Sequence, residues 1–443
     1  MDQGNGGDQF VRIGNKLEDY VRSREPQTRS AVLLHDSAKR LRITPEAVQE
    51  IVKPYAVHIQ RLPVPILGVV VNVISGIVLH NRARGPYKGG IRLAPDVDLW
   101  ETTELARLMT LKTALADIEL GGGKSGISVD LPALYKNMVK LKRFSGPYRE
   151  FERLAKIDII DEFTDHFASM FAHHEYIPAP DMGTSGAEMV RVYNVTRDPA
   201  SVTGKPDGIE GWLPGRAEST GYGVYYAIRK DMERRGLAPE DATIAFQGFG
   251  KVGSHAARYL HQDGARIIGV TDLTSGVQDP DGIDIASLAG HCHRTGAIDG
   301  FSKRKLTNEA LFKMKCDYLV PAASGHVIHK ANARSVRASV VVEAANMPVT
   351  ADGMAILEQR GIEIIPDTYA NAGGVIASNI EYRQDLGGAK YTCEMTLAEI
   401  RDRFDQMYET MRPHLKKGRT MLQASTDVAL ERVYNTMVQR GLL

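Results

Sequence analysis

Cysteines, long apolar runs and excess charge are all scarce in this 443-residue sequence. Its three cysteines are far apart and form no CxxC pair, so we expect free thiols in a reducing cytoplasm. The longest apolar stretch, residues 64–73, is interrupted by Pro65, Gly68 and Asn72 and is too short to cross a bilayer. Residues 1–9 contain no hydrophobic signal core. A net charge of +1 with no basic run argues against a nucleic-acid or membrane surface.

The length and the ordinary composition favour a globular protein with two domains. Hydrophobic residues make up 43% of the chain and charged residues 25%, as is typical of such proteins. A chain of 443 residues is longer than one hydrophobic core usually organises. Residues 198–216 are rich in proline and glycine, so we interpret them as the crossing between the domains.

A glycine-rich segment surrounds one lysine in the first half of the chain. Residues 121–126 read Gly-Gly-Gly-Lys-Ser-Gly, which puts Lys124 among glycines. The spacing of apolar residues predicts a helix over 100–120 before this segment, and residues 127–129 have the composition of a short strand after it. Because glycine lets a backbone approach other groups closely, we predict a loop in which a small ligand reaches Lys124.

Two further lysines are candidates for the same site. Lys88 lies in a basic, glycine-rich turn over residues 80–92, and Lys112 lies on the half-apolar face of the predicted helix. Each has a simpler interpretation, Lys88 as a cation of a solvated loop and Lys112 as a side chain that extends to water. If the three lysines share a cleft, burial and mutual repulsion lower their pKa values, and their charge attracts a dicarboxylate. Asp181, after two stiffening prolines, is either a turn cap or a proton relay beside Lys124.

The second half of the chain contains a nucleotide-binding pattern. A strand predicted at 243–247 leads into Gly248-Phe249-Gly250-Lys251-Val252-Gly253, a helix follows over 254–262, and a strand at 266–271 ends at Asp272. This is the dinucleotide fingerprint in the context that it requires, and a glycine-rich turn for packing alone is the simpler alternative. We expect the pyrophosphate at the helix N-terminus and the adenosine ribose at Asp272, which favours NAD over NADP.

Periodicity predicts the other elements. Further helices are predicted at 16–24, 44–52, 149–173, 185–197, 220–235, 396–416 and 419–440. Further strands are predicted at 318–320, 340–343 and 362–365, together with two or three antiparallel strands over 56–79 that break at 63–65 and 75–76. Ligands bind at the carboxyl ends of parallel strands, so Ala323, Asn346 and Asn371 are candidate site residues. Ser378, on the helix after Asn371, has a helix-packing role as its simpler interpretation.

Six motifs, in order, give the chain a resemblance to a known family. They are Gly85-Pro86-Tyr87-Lys88-Gly89-Gly90, Gly121-Gly122-Gly123-Lys124, Pro178-Ala179-Pro180-Asp181, Thr203-Gly204-Lys205-Pro206, Gln247-Gly248-Phe249-Gly250 and Asn371-Ala372-Gly373-Gly374-Val375. With them the chain resembles the glutamate/leucine/phenylalanine/valine dehydrogenase family over about residues 80–385, and most closely its glutamate-specific members. The resemblance implies an α/β fold with an N-terminal α/β substrate and oligomerisation domain (1–203). A Rossmann-type dinucleotide-binding domain (204–390) follows, and C-terminal helices (391–443) return to the first domain.

The resemblance also implies an activity and its residues. The implied reaction is reversible oxidative deamination of L-glutamate to 2-oxoglutarate and ammonia, with NAD as cofactor and NADP as an alternative, in a cytoplasmic homo-hexamer. Lys124 matches the lysine that activates water, Asp181 the acid that shuttles protons to and from the substrate nitrogen, and Lys112 the lysine that holds the α-carboxylate. Lys88 and Ser378 match the pair that reads the side-chain carboxylate, and family members that take apolar amino acids carry apolar residues at both positions.

The remaining assignments concern the glycine turn and the cofactor. Gly90 is assigned to the substrate site, and no metal ligand is assigned. The cofactor residues are Thr220 and Asn371 near the nicotinamide amide, the fingerprint residues Gly248, Phe249, Gly250, Lys251, Val252 and Gly253, the acid Asp272, and Ala323 and Asn346 at strand ends.

Several residues depart from the pattern of the glutamate-specific members. Gly123 and Ser125 replace an alanine and a glycine, Lys251 stands where asparagine is frequent, and Ala344 and Met347 replace glycines. These departures leave two alternatives open. One is a dehydrogenase of another amino acid on the same fold, and the other is a sensor that binds nucleotide and amino acid without turnover.

Overall fold

The structure is a computed structural model that describes residues 28–443. The helix predicted at 16–24 lies outside the described residues. Two β-sheets, each covered by helices, account for the mixed α/β class expected from the sequence. Within residues 28–443, none of the helices combines the length and the apolar character needed to cross a membrane.

The first sheet has five strands in the order β1-β2-β4-β3-β5. Its strands are β1 (Ala56–Ile66), β2 (Val69–Asn81), β3 (Tyr87–Ala94), β4 (Gly122–Ser128) and β5 (Tyr176–Pro180). β1 and β2 form one antiparallel hairpin that turns at Leu67 and Gly68, both with positive φ. The breaks predicted at 63–65 and 75–76 are therefore wrong. β1 is an edge strand, where prolines are tolerated because the sheet does not need all of their N–H groups.

Two segments that the sequence predicts as loops are buried strands. Residues 122–128 form β4 in the interior of the sheet, and Lys88 lies in β3, which is buried along its whole length. Packing explains the glycines, because a Cβ at Gly122 would lie 2.1 Å from Thr110 Oγ1 and 2.2 Å from the Thr110 nitrogen. The glycines thus let a helix lie directly on the sheet, and the loop predicted around Lys124 is a strand instead.

The second sheet has six strands in the order β11-β10-β9-β6-β7-β8, all parallel except β8. Its strands are β6 (Thr243–Gln247), β7 (Arg266–Thr271), β8 (Gly276–Gln278), β9 (Tyr318–Pro321), β10 (Val340–Val342) and β11 (Glu363–Ile365). The strands predicted at 243–247 and 266–271 have the observed bounds, and the other three agree to within one residue at each end. The sequence did not predict the short antiparallel strand β8.

Fifteen α-helices surround the two sheets within the described residues. They are α1 (Arg29–Leu41), α2 (Pro45–Val52), α3 (Leu99–Leu115), α4 (Leu131–Lys140), α5 (Tyr148–Ala172), α6 (Gly186–Thr196), α7 (Ser219–Arg235), α8 (Lys251–Gln262), α9 (Ile285–Thr295), α10 (Asn308–Phe312), α11 (Ala351–Gln359), α12 (Asp367–Ala370), α13 (Gly373–Asp385), α14 (Cys393–Lys416) and α15 (Met421–Gln439). The predicted helix 100–120 is too long, because α3 ends at Leu115. The helix after the fingerprint begins at Lys251, three residues earlier than predicted.

The last two helices connect the two halves of the molecule. α14 packs against α7 and α13, and α15 packs against α1 and α3, beside the first sheet. The last helix therefore packs against the first helix of the described residues. In the same part of the molecule, α3 contacts α12 and α13.

Candidate functional site

A lysine and an aspartate meet in the cleft between the two sheets. Lys124 Nζ lies 2.6 Å from Asp181 Oδ2, and both side chains are largely buried. The register of the first sheet produces this contact, because Ile91 of β3 pairs with Ser125 on one side and Pro180 on the other. Gly90 leaves the space, since a Cβ there would lie 2.7 Å from the Asp181 Cβ.

A second cation holds the same aspartate. Arg92 Nε donates to Asp181 Oδ2 at 3.0 Å, and its Nη1 forms an ion pair with Glu101 near the start of α3. No role for Arg92 is predicted from the sequence. The signal was present, because residues two apart in a strand face the same side, and Arg92 follows Gly90 by two.

Burial and charge shift the pKa values of this pair. Burial, the largest influence, lowers the pKa of Lys124 below its ordinary value, and Arg92 and Lys112 lower it further, whereas Asp181 opposes them. For Asp181, burial alone raises the pKa, but the charges and hydrogen bonds of Lys124 and Arg92 overcome it and hold the pKa well below its usual range. Asp181 is therefore a carboxylate near neutral pH, beside an amine that loses its proton more readily than a free lysine.

Lys88 is buried in a cationic region that includes an arginine. Burial and the charge of Arg216 lower the pKa of Lys88 well below its ordinary value, and Glu381 opposes them. Arg216 Nη2 lies 3.4 Å from Ser378 Oγ, and Arg216 Nε lies 4.0 Å from Glu381 Oε2. The solvated-loop interpretation of Lys88 is wrong, since only 2% of this residue is exposed. Arg216, which the sequence analysis left within the domain crossing, is a further member of this region.

Lys112 crosses the cleft. Its Nζ lies 2.5 Å from Asn371 Oδ1 and 3.1 Å from Asn346 Oδ1, so α3 touches two loops of the second sheet. Asn371 Nδ2 donates to the carbonyl oxygens of Ala344 and Ala345, which orients its amide oxygen toward the lysine. Lys112 does not extend to water, and burial lowers its pKa.

The glycine fingerprint has the geometry that a dinucleotide requires. Gly248 has a φ of +102°, and a Cβ there would lie 2.8 Å from the Ala323 nitrogen. A Cβ at Gly253 would lie 2.1 Å from the Gly248 carbonyl oxygen, so only glycine allows α8 to pack this closely. Gly250, in contrast, has open space around its Cα, directly before the first residue of α8, Lys251. This open space at a helix N-terminus fits a pyrophosphate.

Asp272 follows β7 and is fixed by its own loop. Oδ1 accepts from the Thr274 nitrogen at 2.7 Å and from the Ser275 nitrogen at 2.9 Å, and Oδ2 accepts from the Ile298 nitrogen at 2.7 Å. Burial raises the pKa of Asp272, but these hydrogen bonds outweigh it and lower the pKa. An ionised carboxylate at this strand end suits ribose hydroxyls and repels a 2′-phosphate.

Thr220 lies where two helices meet near the cleft. A Cβ at Gly374 would lie 2.5 Å from Thr220 Oγ1, and a Cβ at Gly373 would lie 2.1 Å from the Ser219 carbonyl oxygen. α7 and α13 are therefore in close contact at their first turns. Asn371 lies two residues before the first residue of α13.

Two departures from the family pattern are coupled through one tyrosine. A Cβ at Gly123 would lie 2.9 Å from Cε2 of Tyr176, and the Tyr176 hydroxyl lies 3.0 Å from Ser125 Oγ. Glycine at 123 makes room for the ring, and serine at 125 supplies a partner for its buried hydroxyl. Burial raises the pKa of Tyr176, so this hydroxyl stays protonated.

A buried ion cluster anchors the helix that carries Ser378. Lys205 Nζ lies 2.8 Å from Glu381 Oε1 and 2.8 Å from Asp385 Oδ2, and all three side chains are almost fully buried. The Gly204 nitrogen also donates to Glu381 Oε2 at 2.7 Å. The carboxylates stand four residues apart on α13, a spacing from which a shared cation could have been predicted.

Comparisons with known proteins agree over most of the chain. The family model described as Glu/Leu/Phe/Val dehydrogenase, dimerisation domain, matches residues 61–198, and that described as Glutamate/Leucine/Phenylalanine/Valine dehydrogenase matches residues 211–441. NAD-specific glutamate dehydrogenase A of Halobacterium salinarum is 33% identical over 417 residues, which cover 92% of each chain. Glutamate dehydrogenase of Thermotoga maritima is 36% identical over 405 residues, 88% of this chain and 92% of the relative. The crystal structure of the hetero-hexameric glutamate dehydrogenase from Thermus thermophilus, in its Leu-bound form, superposes with a TM-score of 0.83 at 28% identity, over 95% of this chain and 100% of that chain.

Proposed function

The chain belongs to the glutamate/leucine/phenylalanine/valine dehydrogenase family, and we propose that it is an NAD-dependent glutamate dehydrogenase. The reaction is the reversible oxidative deamination of L-glutamate to 2-oxoglutarate and ammonia. The observation that carries the proposal is the 2.6 Å contact between Lys124 Nζ and Asp181 Oδ2 in a cleft that also buries Lys88 and Lys112.

Lys124 and Asp181 are the proposed catalytic pair. In the direction of deamination, Lys124 with its lowered pKa takes a proton from the water that attacks the imino carbon. Asp181 accepts and returns the protons of the substrate nitrogen. The contact between the two groups lets a proton pass between them without release to solvent.

The lysines provide the proposed recognition of glutamate. Lys112 binds the α-carboxylate, and Lys88 with Ser378 binds the side-chain carboxylate, next to Gly90. The charge of Arg216 strengthens this preference, because it adds a second cation beside Lys88. An apolar side chain would leave a buried lysine without a partner, at a cost of several kcal/mol.

NAD is the proposed cofactor, and when bound it accepts the hydride from the substrate Cα. The backbone of Gly248, Phe249, Gly250, Lys251, Val252 and Gly253 would hold the pyrophosphate, and Asp272 would hold the adenosine ribose. The residues that would bind the nicotinamide are Thr220, Ala323, Asn346 and Asn371. The fixed carboxylate of Asp272 and the NAD-specific relative support NAD, whereas Lys251 is compatible with the 2′-phosphate of NADP.

The domain division and the assembly are also proposed. The two family matches, 61–198 and 211–441, support a substrate and oligomerisation domain over 1–203 and a nucleotide domain over 204–390, with 391–443 returning to the first. The hexameric structural relative supports an oligomer, and we propose a homo-hexamer. We propose a cytoplasmic location from the unpaired cysteines.

Lys124→Ala tests the function directly. We expect NADH formation from glutamate to fall by about 10²–10⁴ in kcat, because the general base is lost, while NAD binding is retained. Lys156→Ala, which removes a lysine paired with Glu152 on α5, is the matched control and keeps wild-type turnover. Turnover of Lys124→Ala within about tenfold of wild type would contradict the assigned role.

A further inference from the structure

The two oxygens of Asp181 are in different environments. Oδ2 accepts hydrogen bonds from Lys124 Nζ at 2.6 Å and from Arg92 Nε at 3.0 Å. Oδ1 has no hydrogen-bond partner among residues 28–443. A carboxylate held by one oxygen is fixed in rotation and presents the other oxygen to a ligand, so the two oxygens cannot have the same task.

Arg92 is held in place from its other side. Its Nη1 pairs with Glu101, whose backbone nitrogen is bound at 2.7 Å by Asp98, the N-cap residue of α3. Only 11% of the Arg92 side chain is exposed. The guanidinium therefore joins carboxylates from two elements, and it cannot turn away from Asp181 without losing charge-assisted hydrogen bonds to both.

The two cations at Oδ2 differ in the permanence of their charge. Lys124 is the proposed base and becomes neutral during part of each turnover, whereas an arginine stays protonated in proteins. When Lys124 is neutral, Arg92 is the one remaining cation in contact with Asp181 among the described residues. Among the described residues, the other titratable groups coupled electrostatically to Asp181, Lys124 or Arg92 are Lys112 and Glu101 on α3, Lys88 on β3 and the neutral Tyr176 on β5.

We propose that Arg92 is a positioning residue that holds Oδ2 of Asp181 through both charge states of Lys124, so that Oδ1 exchanges the proton with the substrate nitrogen. This inference rests on the proposed function. It assigns a different task to each oxygen, and it gives Arg92 an effect on turnover without contact with substrate.

The pH dependence of kcat/KM for glutamate separates this role from a structural one. In Arg92→Gln the acid limb of this pH profile moves to higher pH by about one unit, because loss of the arginine charge raises the pKa of Lys124, which must be neutral to act as the base. kcat falls by about tenfold to a hundredfold, because Oδ1 is no longer fixed. Arg92→Lys keeps the positive charge, so its acid limb stays near that of wild type. Its amine cannot bridge two carboxylates as the guanidinium does, so kcat is only partly restored.

Arg191→Gln is the matched control, since Arg191 makes a similar contact with Asp161 between α5 and α6. We expect its kcat and pH profile to equal those of wild type. A folded Arg92→Gln enzyme with the wild-type acid limb and kcat would overturn the inference. A loss of kcat without any shift of the limb would also overturn it, because that result indicates a structural role.

A second measurement does not depend on the proposed reaction. The rate at which a small amine-selective reagent labels Lys124, followed by peptide mass spectrometry over a range of pH, reports the protonation of this lysine. Arg92→Gln shifts labelling of Lys124 to higher pH, because the repulsion that lowers the pKa of Lys124 is reduced. If the wild-type protein does not oxidise glutamate, the proposed function fails. The labelling shift then still decides whether Arg92 acts on this pair, and its absence refutes the inference.

Discussion

At the scale of single residues, Gly123 has its own steric requirement beside Lys124. The ring of Tyr176 occupies the space that any larger residue at 123 would need, and Phe171 lies behind it with ring centroids 6.0 Å apart. Tyr176 is fully buried, so its ring has nowhere to move. An alanine at this position would therefore force Tyr176 or its neighbours to shift.

Gly123→Ala tests that requirement. We expect the free energy of unfolding to fall by about 1–3 kcal/mol, because the new methyl group overpacks a filled core. The double variant Gly123→Ala with Tyr176→Leu recovers part of this loss. Gly290→Ala, on the half-exposed face of α9, is the control and leaves stability unchanged or slightly higher. Denaturant unfolding of the four proteins gives the comparison, and a fully stable Gly123→Ala would contradict the packing account.

The sequence identified some site residues and missed others for one physical reason. Lys88, Lys124 and Asp181 stand in motifs that mark them locally. Arg92 and Arg216 become site residues only through contacts made in the fold, with Asp181 and with Ser378. The spacing of two residues puts Arg92 on the same strand face as Gly90, but no local pattern encodes the distances to Asp181 and Ser378.

At the scale of elements, the periodicity of apolar residues predicted the amphipathic helices and the apolar parallel strands. Amphipathic helices such as α5 and the apolar parallel strands β6 and β7 were predicted nearly to the residue. β3 and residues 122–126 of β4 were predicted as a turn and a loop, because glycine is usual in such segments. In the fold, their glycines are needed for close contact with α3 and with neighbouring strands. The requirement comes from tertiary packing, which a window along the chain does not contain.

The anchoring of α13 by Lys205 gives an element-scale prediction. Lys205→Met removes the cation that the buried carboxylates of Glu381 and Asp385 share, so we expect a loss of roughly 3–5 kcal/mol of stability. We also expect a higher KM for glutamate, because α13 carries Ser378. Lys230→Met is the control, because Lys230 pairs with more exposed carboxylates and its loss amounts to about 1 kcal/mol or less. Equal effects of the two variants on the free energy of unfolding and on KM would contradict the role of Lys205 in anchoring α13.

A buried histidine, His80, connects α2, β2 and α3 and makes the stability of the fold depend on pH. His80 Nδ1 lies 2.8 Å from Thr110 Oγ1 and Nε2 lies 3.0 Å from the Val52 carbonyl oxygen, and burial lowers the pKa of His80 to about 3. The folded pKa is below that of the unfolded chain, so this stabilisation is complete above about pH 6.5 and is lost as the pH falls toward about 3.

His80→Gln measures this contribution. The difference in unfolding free energy between wild type and variant is expected to shrink by about 1.4 kcal/mol per pH unit on acidification from pH 6 to pH 4. His35→Gln, at an exposed position, controls for the substitution. A wild-type-minus-variant difference that does not change with pH would rule out a buried neutral histidine.

At the scale of the whole molecule, contacts across the cleft join the two sheets. Lys112 reaches Asn346 and Asn371, Arg29 of α1 pairs with Glu343 after β10, and Met347 packs on Leu105 and Leu108 of α3. These contacts involve Lys112, the candidate α-carboxylate lysine, and Asn346 and Asn371, the candidate nicotinamide asparagines. The same side chains therefore join the two sheets and are candidates for binding the substrate and the cofactor.

The central claim is that a cationic pocket of the first sheet selects an acidic side chain and presents it to NAD. The most direct test compares kcat/KM for glutamate and for leucine, with NAD, in wild type and in Lys88→Leu with Ser378→Val. We predict that wild type prefers glutamate by at least about a hundredfold, and that the double variant loses this preference through a higher KM for glutamate. A wild-type protein that oxidises leucine as well as glutamate, or a double variant with an unchanged KM for glutamate, would contradict the claim.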